Sequence, residues 1–221
     1  MNGDEKVKAL KAAITKNVGL GPAAGDVEVT REGDALVVAG EVDSISRKKR
    51  ILLLAMGVEG VSGVVDRLTV RPAASMTDDE IRSHLADAFA GEPAMDERLI
   101  TVEIRNGVVD IEGRCPSLSH KRLAGVLAWW VPGVRDVINS LEVTPPEEDS
   151  DDELRDALRL ILEKDRLVDA SHISVEASNW VVTLRGVVSS EAEKDAAECD
   201  AWYTWGVNDV VNRLEVRPAA P

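Results

Sequence analysis

The sequence predicts an α+β protein of three tandem α-β-β-α-β units, each a small mixed three-stranded sheet with two helices packed on one face. Three observations carry this prediction. Pro72, Pro145 and Pro218 lie at intervals of 73 residues. Glycines and valines recur at the same interval, and apolar residues follow helix and strand periods between them. Since a fixed period of this length indicates one supersecondary unit per copy, we place the units at 1–72, 76–145 and 150–218.

Each unit is predicted to open with a helix, and the second and third units carry clear start signals. Thr77 and Ser150 are followed three residues later by Glu80 and Glu153. This spacing is a capping box, in which hydroxyl and carboxylate bond to amides that the first helical turn leaves without partners. Apolar residues behind the boxes recur at i, i+4, i+7 and i+8, as on one helix face. They are Ile81, Leu85, Ala88 and Phe89, and then Leu154, Leu158, Ile161 and Leu162.

A β-hairpin is predicted after each first helix. In the second unit, Ile100, Val102 and Ile104 alternate with polar residues, as in a strand with one buried face. Asn106-Gly107 then supplies a two-residue turn of the kind that hairpins favour, and the return strand runs to Gly113. The corresponding residues elsewhere are Val27, Val29, Gly33, Asp34, Leu36 and Val38, and Ile173, Val175, Asn179, Trp180, Val182 and Leu184.

A second helix and a final strand complete each unit. Ser44, Ser117 and Ser190 are suitable N-caps and keep the interval of 73 residues. Each helix is predicted to end before a Gly-Val pair, and in the second unit the last strand then spans 134–143. Because strand-helix-strand crossovers are right-handed and join parallel strands, this strand is expected to lie parallel to the return strand of the hairpin.

The pattern of residues in each repeat resembles that of the BON domain, a family named for osmotically inducible and nodulation proteins. Its pattern is an acidic-capped helix, I-x-V-x-x-x-(N/G)-G-x-V-x-(L/I)-x-G, a Ser-started helix, and G-V-x-x-V-x-N-x-L-x-V. The second unit matches at Ile100, Val102, Gly107, Val109, Ile111, Gly113, Gly133, Val134, Val137, Asn139, Leu141 and Val143. The third matches at Ile173, Val175, Val182, Leu184, Gly186, Gly206, Val207, Val210, Asn212, Leu214 and Val216. The first unit departs by carrying Asp66 where the others carry Asn.

The resemblance implies a non-enzymatic protein that binds phospholipid or cell-envelope surfaces and takes part in stress protection. Some relatives in this family also bind a small cation, so the resemblance implies this role as well. We therefore expect a binding or scaffolding protein that interacts with a protein partner, with itself or with phospholipid. A stress protein that binds potassium or calcium is the alternative.

Charge and composition limit the kinds of partner and the compartments that we expect. The net charge of −14 opposes binding of nucleic acid, because the phosphates would meet a field of the same sign. Hydrophobic residues make up 44% of the chain, as in soluble globular proteins, and no apolar run is long enough to span a bilayer. The first ten residues are amphipathic and unlike a signal peptide. The expected compartment is the cytoplasm, with the periplasm or cell envelope as the alternative if an export signal has been removed.

No catalytic residue, metal site or cofactor is predicted. The three histidines fall at non-equivalent positions of the repeat, and neither cysteine has a partner at metal-ligand spacing. Asp149, Asp151 and Glu153 alternate as in a calcium loop. However, Leu154 stands where such a loop needs glycine, and no glutamate follows at the twelfth position. An acidic linker that runs into a capped helix is the interpretation we adopt.

A basic cluster in the first unit has two interpretations. Arg47, Lys48, Lys49 and Arg50 place four cations within about one helical turn. The first interpretation is a solvated helix face that flanks a core position. The second is a patch that contacts anions, such as lipid headgroups or an acidic partner.

The tryptophans indicate a functional surface more specifically than the basic cluster does. The chain has five Trp but only one Phe and one Tyr. Four lie at the ends of second helices, where one step along a helix turns a side chain by about 100°. Trp129 and Trp202 lie one residue past the apolar stripe of their helices, so we expect these two side chains to edge the core rather than fill it. The alternatives are packing between units or subunits, local core, and a lipid or ligand site. The interface or ligand candidates are Met56, Trp129, Trp130, Trp180, Trp202 and Trp205, with Trp180 expected to be exposed at a hairpin tip.

Overall fold

The computed structural model describes residues 3–18, 27–93, 95 and 98–217. The chain divides into two compact units, Met1–Pro72 and Ala73–Pro221. The first contains one α-β-β-α-β repeat, and the second contains two such repeats packed together. The predicted fold class is confirmed.

The first compact unit has a three-stranded mixed sheet covered by two helices. Its elements are α1 (Gly3–Val18), β1 (Val27–Glu32), β2 (Ala35–Val42), α2 (Ile45–Met56) and β3 (Val64–Val70). The central strand β2 pairs antiparallel with β1 and parallel with β3, as the crossover rule requires. Leu10 and Ile14 of α1, Ile51 of α2, and Val38 and Leu68 of the sheet form its core.

The second compact unit repeats this arrangement twice. Its first half contains α3 (Asp78–Ala90), β4 (Ile100–Arg105), β5 (Val108–Cys115), α4 (Leu118–Trp129), β6 (Asp136–Asn139) and β7 (Glu142–Val143). Its second half contains α5 (Asp151–Lys164), a short 3-10 helix (Ala170–His172), β8 (Ile173–Ser178), β9 (Val181–Val188), α6 (Glu191–Tyr203) and β10 (Asp209–Val216). The sheets have the orders β4-β5-β6, with β7 also on β5, and β10-β9-β8. The last strand of the second repeat, predicted as continuous, is interrupted at Ser140 and Leu141.

The predicted helix starts are confirmed by their caps. Ser44, Ser117 and Ser190 each accept a hydrogen bond from the amide three residues ahead. Thr77 and Glu80 form a complete capping box. Ser150 also caps its helix, but the carboxylate of Glu153 turns away to another helix, as described below.

Glycine recurs at the end of each hairpin because the backbones approach closely there. Gly113 and Gly186 have φ values of +126° and +133°, in the region that side-chain-bearing residues rarely adopt. A Cβ atom would lie 2.0 Å from the carbonyl oxygen of Leu99 at Gly113, and 1.9 Å from that of His172 at Gly186. This contact explains why the interval of 73 residues is kept between these two positions.

Candidate functional site

The second and third repeats share one helical layer. Helix α4 packs on α5 and α6 in addition to its own sheet. As a result, it buries residues on most of its circumference, and the core of the second repeat extends to Ile161 of α5. The two repeats therefore fold around a common core.

Arg122 of α4 holds this layer together electrostatically. Its guanidinium is fully buried and lies 2.7 Å from Asp149, and it also contacts the Glu153 carboxylate of α5. Its Nε donates to the backbone oxygen of Trp205 at 3.0 Å, and its charge lies 5.5 Å from the centre of the Trp205 ring. A buried guanidinium is tolerated only with such partners, so Arg122 fixes the position of α5 on α4.

The ends of α4 and α6 meet through aromatic side chains. Trp129 and Tyr203 stack with parallel rings whose centroids are 5.5 Å apart. Beside them, the indole N–H of Trp130 donates to Oδ1 of Asp200 at 2.7 Å. Both contacts join the second repeat to the third. They support the interpretation of these tryptophans as packing residues between repeats.

A cleft of about 620 Å³ opens beside these contacts, a volume typical of small-molecule sites. Its walls come from α3, α4, α6 and the end of α5 with the segment that follows it, all within the second compact unit. The apolar and aromatic part of the wall consists of Ala88, Leu123, Leu127, Trp129, Trp130, Pro132, Leu167 and Tyr203. The charged part consists of Asp87, Glu92, Lys164, Asp165, Arg166 and Asp200.

Asp200 has the largest pKa shift among the groups that line the cleft. Its side chain is 1% exposed, and burial raises its pKa to about 8, helped by repulsion from Asp165 and opposed by the Trp130 hydrogen bond. No hydrogen-bond donor reaches Oδ2. With this pKa Asp200 is mainly protonated at neutral pH, and it shares a hydrogen bond with the neighbouring Asp165 carboxylate.

The surroundings also fix the charges of the Lys164–Glu92 pair and of Tyr203 in the cleft. Lys164 lies 2.7 Å from Glu92, so one cation and one anion of the wall neutralise each other. Burial raises the pKa of Tyr203 to about 12, so its phenol stays neutral over the physiological range. With Asp200 protonated, the remaining charges are those of Asp87, Asp165 and Arg166.

The other aromatic candidates are dispersed. Trp202 is 3% exposed, so the expectation that it edges the core is wrong. It is one of the buried residues of α6 in the third repeat. Trp180 is half-buried rather than exposed, because its amide bonds to Asp151 and its ring lies near the Gly206 turn. Trp205 is exposed and lies over Lys121 and Arg122, outside the wall of the cleft.

The basic cluster of the first unit does not form one surface. Lys48 is buried, where its ammonium donates to the Leu68 carbonyl at 2.7 Å and lies 3.0 Å from Asp66. This corrects its assignment as an anion contact, because its position on α2 faces the sheet. Arg47 is half-buried and lies 2.5 Å from Asp43. Burial lowers the pKa of Lys49 to about 7, and Arg50 is exposed.

Met56 and three leucines give the last turns of α2 an apolar surface. Met56 is 62% exposed at the end of the helix, and Leu52, Leu53 and Leu54 are half-buried. The repeat aligns them with Trp129, Gly125, Val126 and Leu127 of α4. Three of those four residues are buried, because α4 packs against the third repeat. The equivalent face of α2 is therefore accessible where that of α4 is not.

Arg122, Asp200 and Tyr203 are not among the residues that the sequence predicts for this region. A signal for Asp200 was available, because the repeat aligns it with Leu127 and Leu54, so that a carboxylate replaces leucine. Arg122 carried a similar signal within an otherwise apolar helix.

The described residues offer no group of three or more His, Cys, Asp or Glu side chains that could hold a metal ion. The small-cation alternative stays a prediction. Likewise, no helix among the described residues has the length and apolarity needed to cross a membrane.

The fold consists of tandem α-β-β-α-β repeats, and a cleft lined by aromatic side chains lies between the second and third of them. The chain belongs to the BON domain family, whose model matches residues 5–72, 77–145 and 150–218. It is 29% identical over 123 residues to osmotically-inducible protein Y of Escherichia coli (strain K12). That match spans 53% of this chain and 61% of the length of that protein.

Two solved structures of CdsD, a structural protein of the type III secretion system of Chlamydia trachomatis, are also similar. One is its C-terminal domain, 14% identical, where the match covers 99% of this chain and 100% of that chain with a TM-score of 0.26. The other is 16% identical and covers 95% and 93%, with a TM-score of 0.26.

Proposed function

We propose that this chain is a non-enzymatic, stress-related binding protein whose principal site is the cleft between the second and third repeats. The observation that supports it is the wall of Trp129, Trp130 and Tyr203 around about 620 Å³ of space. A wall that combines aromatic and apolar side chains with charged ones is suited to an amphipathic ligand. The family and the osmotically inducible relative support the stress-related role.

Two kinds of ligand are consistent with this site: the apolar part of a phospholipid or an apolar segment of a protein partner. The 73–221 unit carries 30 acidic and 15 basic side chains, which opposes attraction to an anionic membrane. Binding to phospholipid therefore depends on the apolar contacts of the cleft. Co-sedimentation with phosphatidylcholine vesicles and with phosphatidylglycerol vesicles tests the lipid ligand. A protein that stays in the supernatant with both would exclude it.

The cleft itself is tested with a neutral fluorescent probe, N-phenyl-1-naphthylamine, and a pair of matched variants. Leu167 lines the cleft and is 73% exposed, so Leu167→Glu places a charge at the site with little effect on folding. Leu99→Glu is the control, because Leu99 is 55% exposed in the same compact unit but does not line the cleft. We expect the wild type and Leu99→Glu to enhance probe emission, and Leu167→Glu to bind the probe at least about tenfold more weakly. Equal loss in both variants contradicts the site.

A second function, association with another protein or with a second copy, is supported by the α2 face. Met56 and the three leucines before it are accessible, although the equivalent face of α4 is an interface. Exposed apolar clusters mark such surfaces. Light scattering after gel filtration should show a mass that rises with concentration in the wild type and stays monomeric in Met56→Glu. A monomeric wild type at millimolar concentration contradicts self-association, while cross-linking to a different protein at Met56 would identify a partner.

The compartment remains a prediction that depends on the ligand. We expect the cytoplasm, with the periplasm or cell envelope as the alternative. Fractionation of the source cells into cytoplasm, periplasm and membranes, followed by detection with an antibody, distinguishes them. Recovery in the membrane fraction would support the phospholipid ligand, since no described helix can span the bilayer.

A further inference from the structure

We propose that the hydrogen-bonded carboxyl pair of Asp165 and Asp200 is a pH-dependent switch that controls one rim of the cleft. In the closed state the two carboxyl groups share one proton, which holds the turn after α5 against α6. In the open state that proton has passed to solvent, and repulsion between the two carboxylates releases the turn. This inference rests on the proposed function, because it concerns the regulation of access to the same cleft.

The carboxyl pair lies in a position where both members cannot be ionised. Asp200 is 1% exposed, and its Oδ1 accepts the Trp130 indole N–H at 2.7 Å. Its Oδ2 is shielded from solvent, and its side chain is hydrogen-bonded to that of Asp165. An ionised carboxylate has acceptors only, so this contact requires a proton on one of the two groups. Two adjacent carboxylates at a buried position repel each other, and sharing one proton removes that repulsion.

Asp165 connects the carboxyl pair to the rim of the cleft. It is the C-cap of α5, where its amide donates to the Ile161 carbonyl at 3.1 Å. Its Oδ1 accepts the Leu167 amide at 2.9 Å, and its backbone oxygen accepts the Val168 amide at 3.3 Å. Leu167 is 73% exposed and lines the cleft. The contact of Asp165 with Asp200 therefore sets the position of this rim.

The release of Asp165 is expected to move a short segment only. Ile161 and Leu162 of α5 are almost fully buried, and Val168 is 9% exposed. These buried residues anchor the chain on both sides of the turn. The part that can leave the cleft is therefore 165–167, while the wall supplied by α4 stays in place.

The other ionisable groups that line the cleft around Asp200 come from three helices and the segments that follow two of them. They are Asp87 and Glu92 on and after α3, Lys164 and Arg166 on either side of Asp165, and Cys199 and Tyr203 on α6. Lys164 lies 2.7 Å from Glu92. Burial raises the pKa of the Cys199 thiol above its ordinary value and that of Tyr203 to about 12, so both groups stay neutral at neutral pH. From α4 the group that contacts Asp200 is the Trp130 indole, which does not ionise.

The direction of the pH dependence follows from the burial of Asp200 in the closed state. Burial raises its pKa to about 8, from an ordinary value of 3.8. Opening returns the carboxyl group to water and lowers its pKa toward the ordinary value, so the closed state is favoured fully below about pH 4. Between about pH 4 and 8 the equilibrium shifts toward the open state by up to about tenfold per pH unit. Since Leu167 then leaves the wall, an apolar ligand should bind more weakly at alkaline pH.

The experiment measures hydrogen exchange in the turn of the full chain at pH 6, 7.5 and 9. Asp200→Asn is the matched variant, because its amide can accept from Trp130 and donate to Asp165 at every pH. Exchange of the Leu167 and Val168 amides is compared between wild type and variant at each pH, so that the intrinsic base catalysis of exchange cancels. We expect the ratio of wild-type to variant rates to rise at least about tenfold from pH 6 to 9.

Titration with N-phenyl-1-naphthylamine over the same pH range measures access to the cleft. We expect its dissociation constant to rise at least about fivefold from pH 6 to 9 in the wild type, and less than about twofold in Asp200→Asn.

Two further variants separate the switch from general effects on folding. In Asp165→Asn the oxygen still accepts the Leu167 amide and the new amide donates to Asp200, so exchange in the turn should again depend little on pH. Asp156→Asn is the control and should behave as the wild type, because Asp156 is exposed on α5 outside the cleft. A rate ratio that stays constant from pH 6 to 9 overturns the inference, and so does a pH dependence that both Asp165→Asn and Asp200→Asn retain.

The two measurements distinguish failure of the switch from failure of the proposed function. Probe binding and exchange that are both independent of pH overturn the switch and leave the apolar cleft standing. Exchange that depends on pH with a constant probe affinity overturns the control of access. Absence of probe binding at every pH, with exchange that still depends on pH, overturns the cleft as a binding site and retains the switch as a property of the turn.

Discussion

Asp66 shows how one residue change is balanced within a repeat. In the second and third repeats, Asn139 and Asn212 donate from their amides to carbonyls of the preceding helix. Asp66 has no amide to donate, and it instead lies 3.0 Å from the ammonium of Lys48, which extends from the same turn of its helix. All three side chains still accept the amide two residues ahead. The buried lysine and the Asp-for-Asn difference therefore belong together.

At the residue scale we predict that Asp200→Asn removes a pH-dependent loss of stability. The folded-state pKa of Asp200, about 8, is above its ordinary value of 3.8, so folding favours the protonated form. Its contribution is fully present below pH 4 and is lost as pH rises through 8. The substituted amide stays neutral at every pH, so the advantage of the variant should grow by up to about 1.4 kcal/mol per pH unit within that window. Urea unfolding at pH 5, 7 and 9 measures it.

Asp169→Asn serves as a control of opposite sign. Hydrogen bonds from the Ser171 hydroxyl and amide lower the pKa of Asp169. Its contribution is therefore present above the ordinary pKa of an aspartate and is lost as pH falls. The Asp169→Asn variant should be less stable than wild type at pH 7 and approach it at low pH.

For Asp200→Asn, a difference from wild type that does not change from pH 5 to 9 contradicts the buried protonated state.

At the element scale, α2 and α4 show how one helix pattern acquires two environments. Both begin at a serine cap, and Ile51 and Ala55 of α2 align with the buried Ala124 and Ala128 of α4. Their other faces differ, because α4 also packs on α5 and α6, whereas the leucines on the equivalent face of α2 are half-buried. Burial of this second face converts two repeats into one compact unit.

We predict that Arg122→Met destabilises the 73–221 unit by about 3–5 kcal/mol, because it leaves Asp149 and Glu153 without the buried guanidinium that faces them. The matched control is Arg155→Met on α5. Arg155 lies 2.6 Å from Asp152, but both are solvent-accessible, so its loss should cost no more than about 1 kcal/mol. Guanidinium unfolding followed by tryptophan fluorescence measures both. Equal effects would contradict the role of Arg122 as the anchor of α5.

The elements themselves are predictable because their signals are local. Serine caps, alternating strands and the Gly113 contact depend on residues close in sequence or on one repeated approach of the backbone. The packing of α4 on α5 is not predictable in this way, since it depends on how two repeats meet. For that reason the spacing assigns Glu153 to a capping box, although its carboxylate binds Arg122. The expectation that Trp202 edges the core is wrong, because its side chain is buried on α6.

The candidate site is predictable only in part. The position of Trp129 and Trp130 after the helical stripe identifies both as candidates, and both line the cleft. The groups that complete it are Asp165, Asp200 and Tyr203, which come from another repeat. Spacing within one repeat cannot reveal them, because the cleft forms only when α3, α4 and α6 are assembled around the end of α5.

At the scale of the whole molecule, charge is divided unequally between the two compact units. Residues 1–72 carry 11 basic and 10 acidic side chains, whereas residues 73–221 carry 15 and 30. Self-repulsion destabilises a compact state of high net charge and is screened by salt. The two units should therefore respond differently to ionic strength, although they share one repeat architecture.

We predict that raising the salt concentration from about 0.02 to 0.5 M raises the melting temperature of the 73–221 unit and leaves that of 1–72 nearly unchanged, since screening acts mainly on excess charge. Calorimetry of the full chain measures this once each transition is assigned. Leu68→Ala marks the first unit and Leu158→Ala the second, because both leucines are buried and each truncation costs about 2–5 kcal/mol. An equal shift of both transitions with salt would contradict the charge argument, because unit one has almost no net charge to screen.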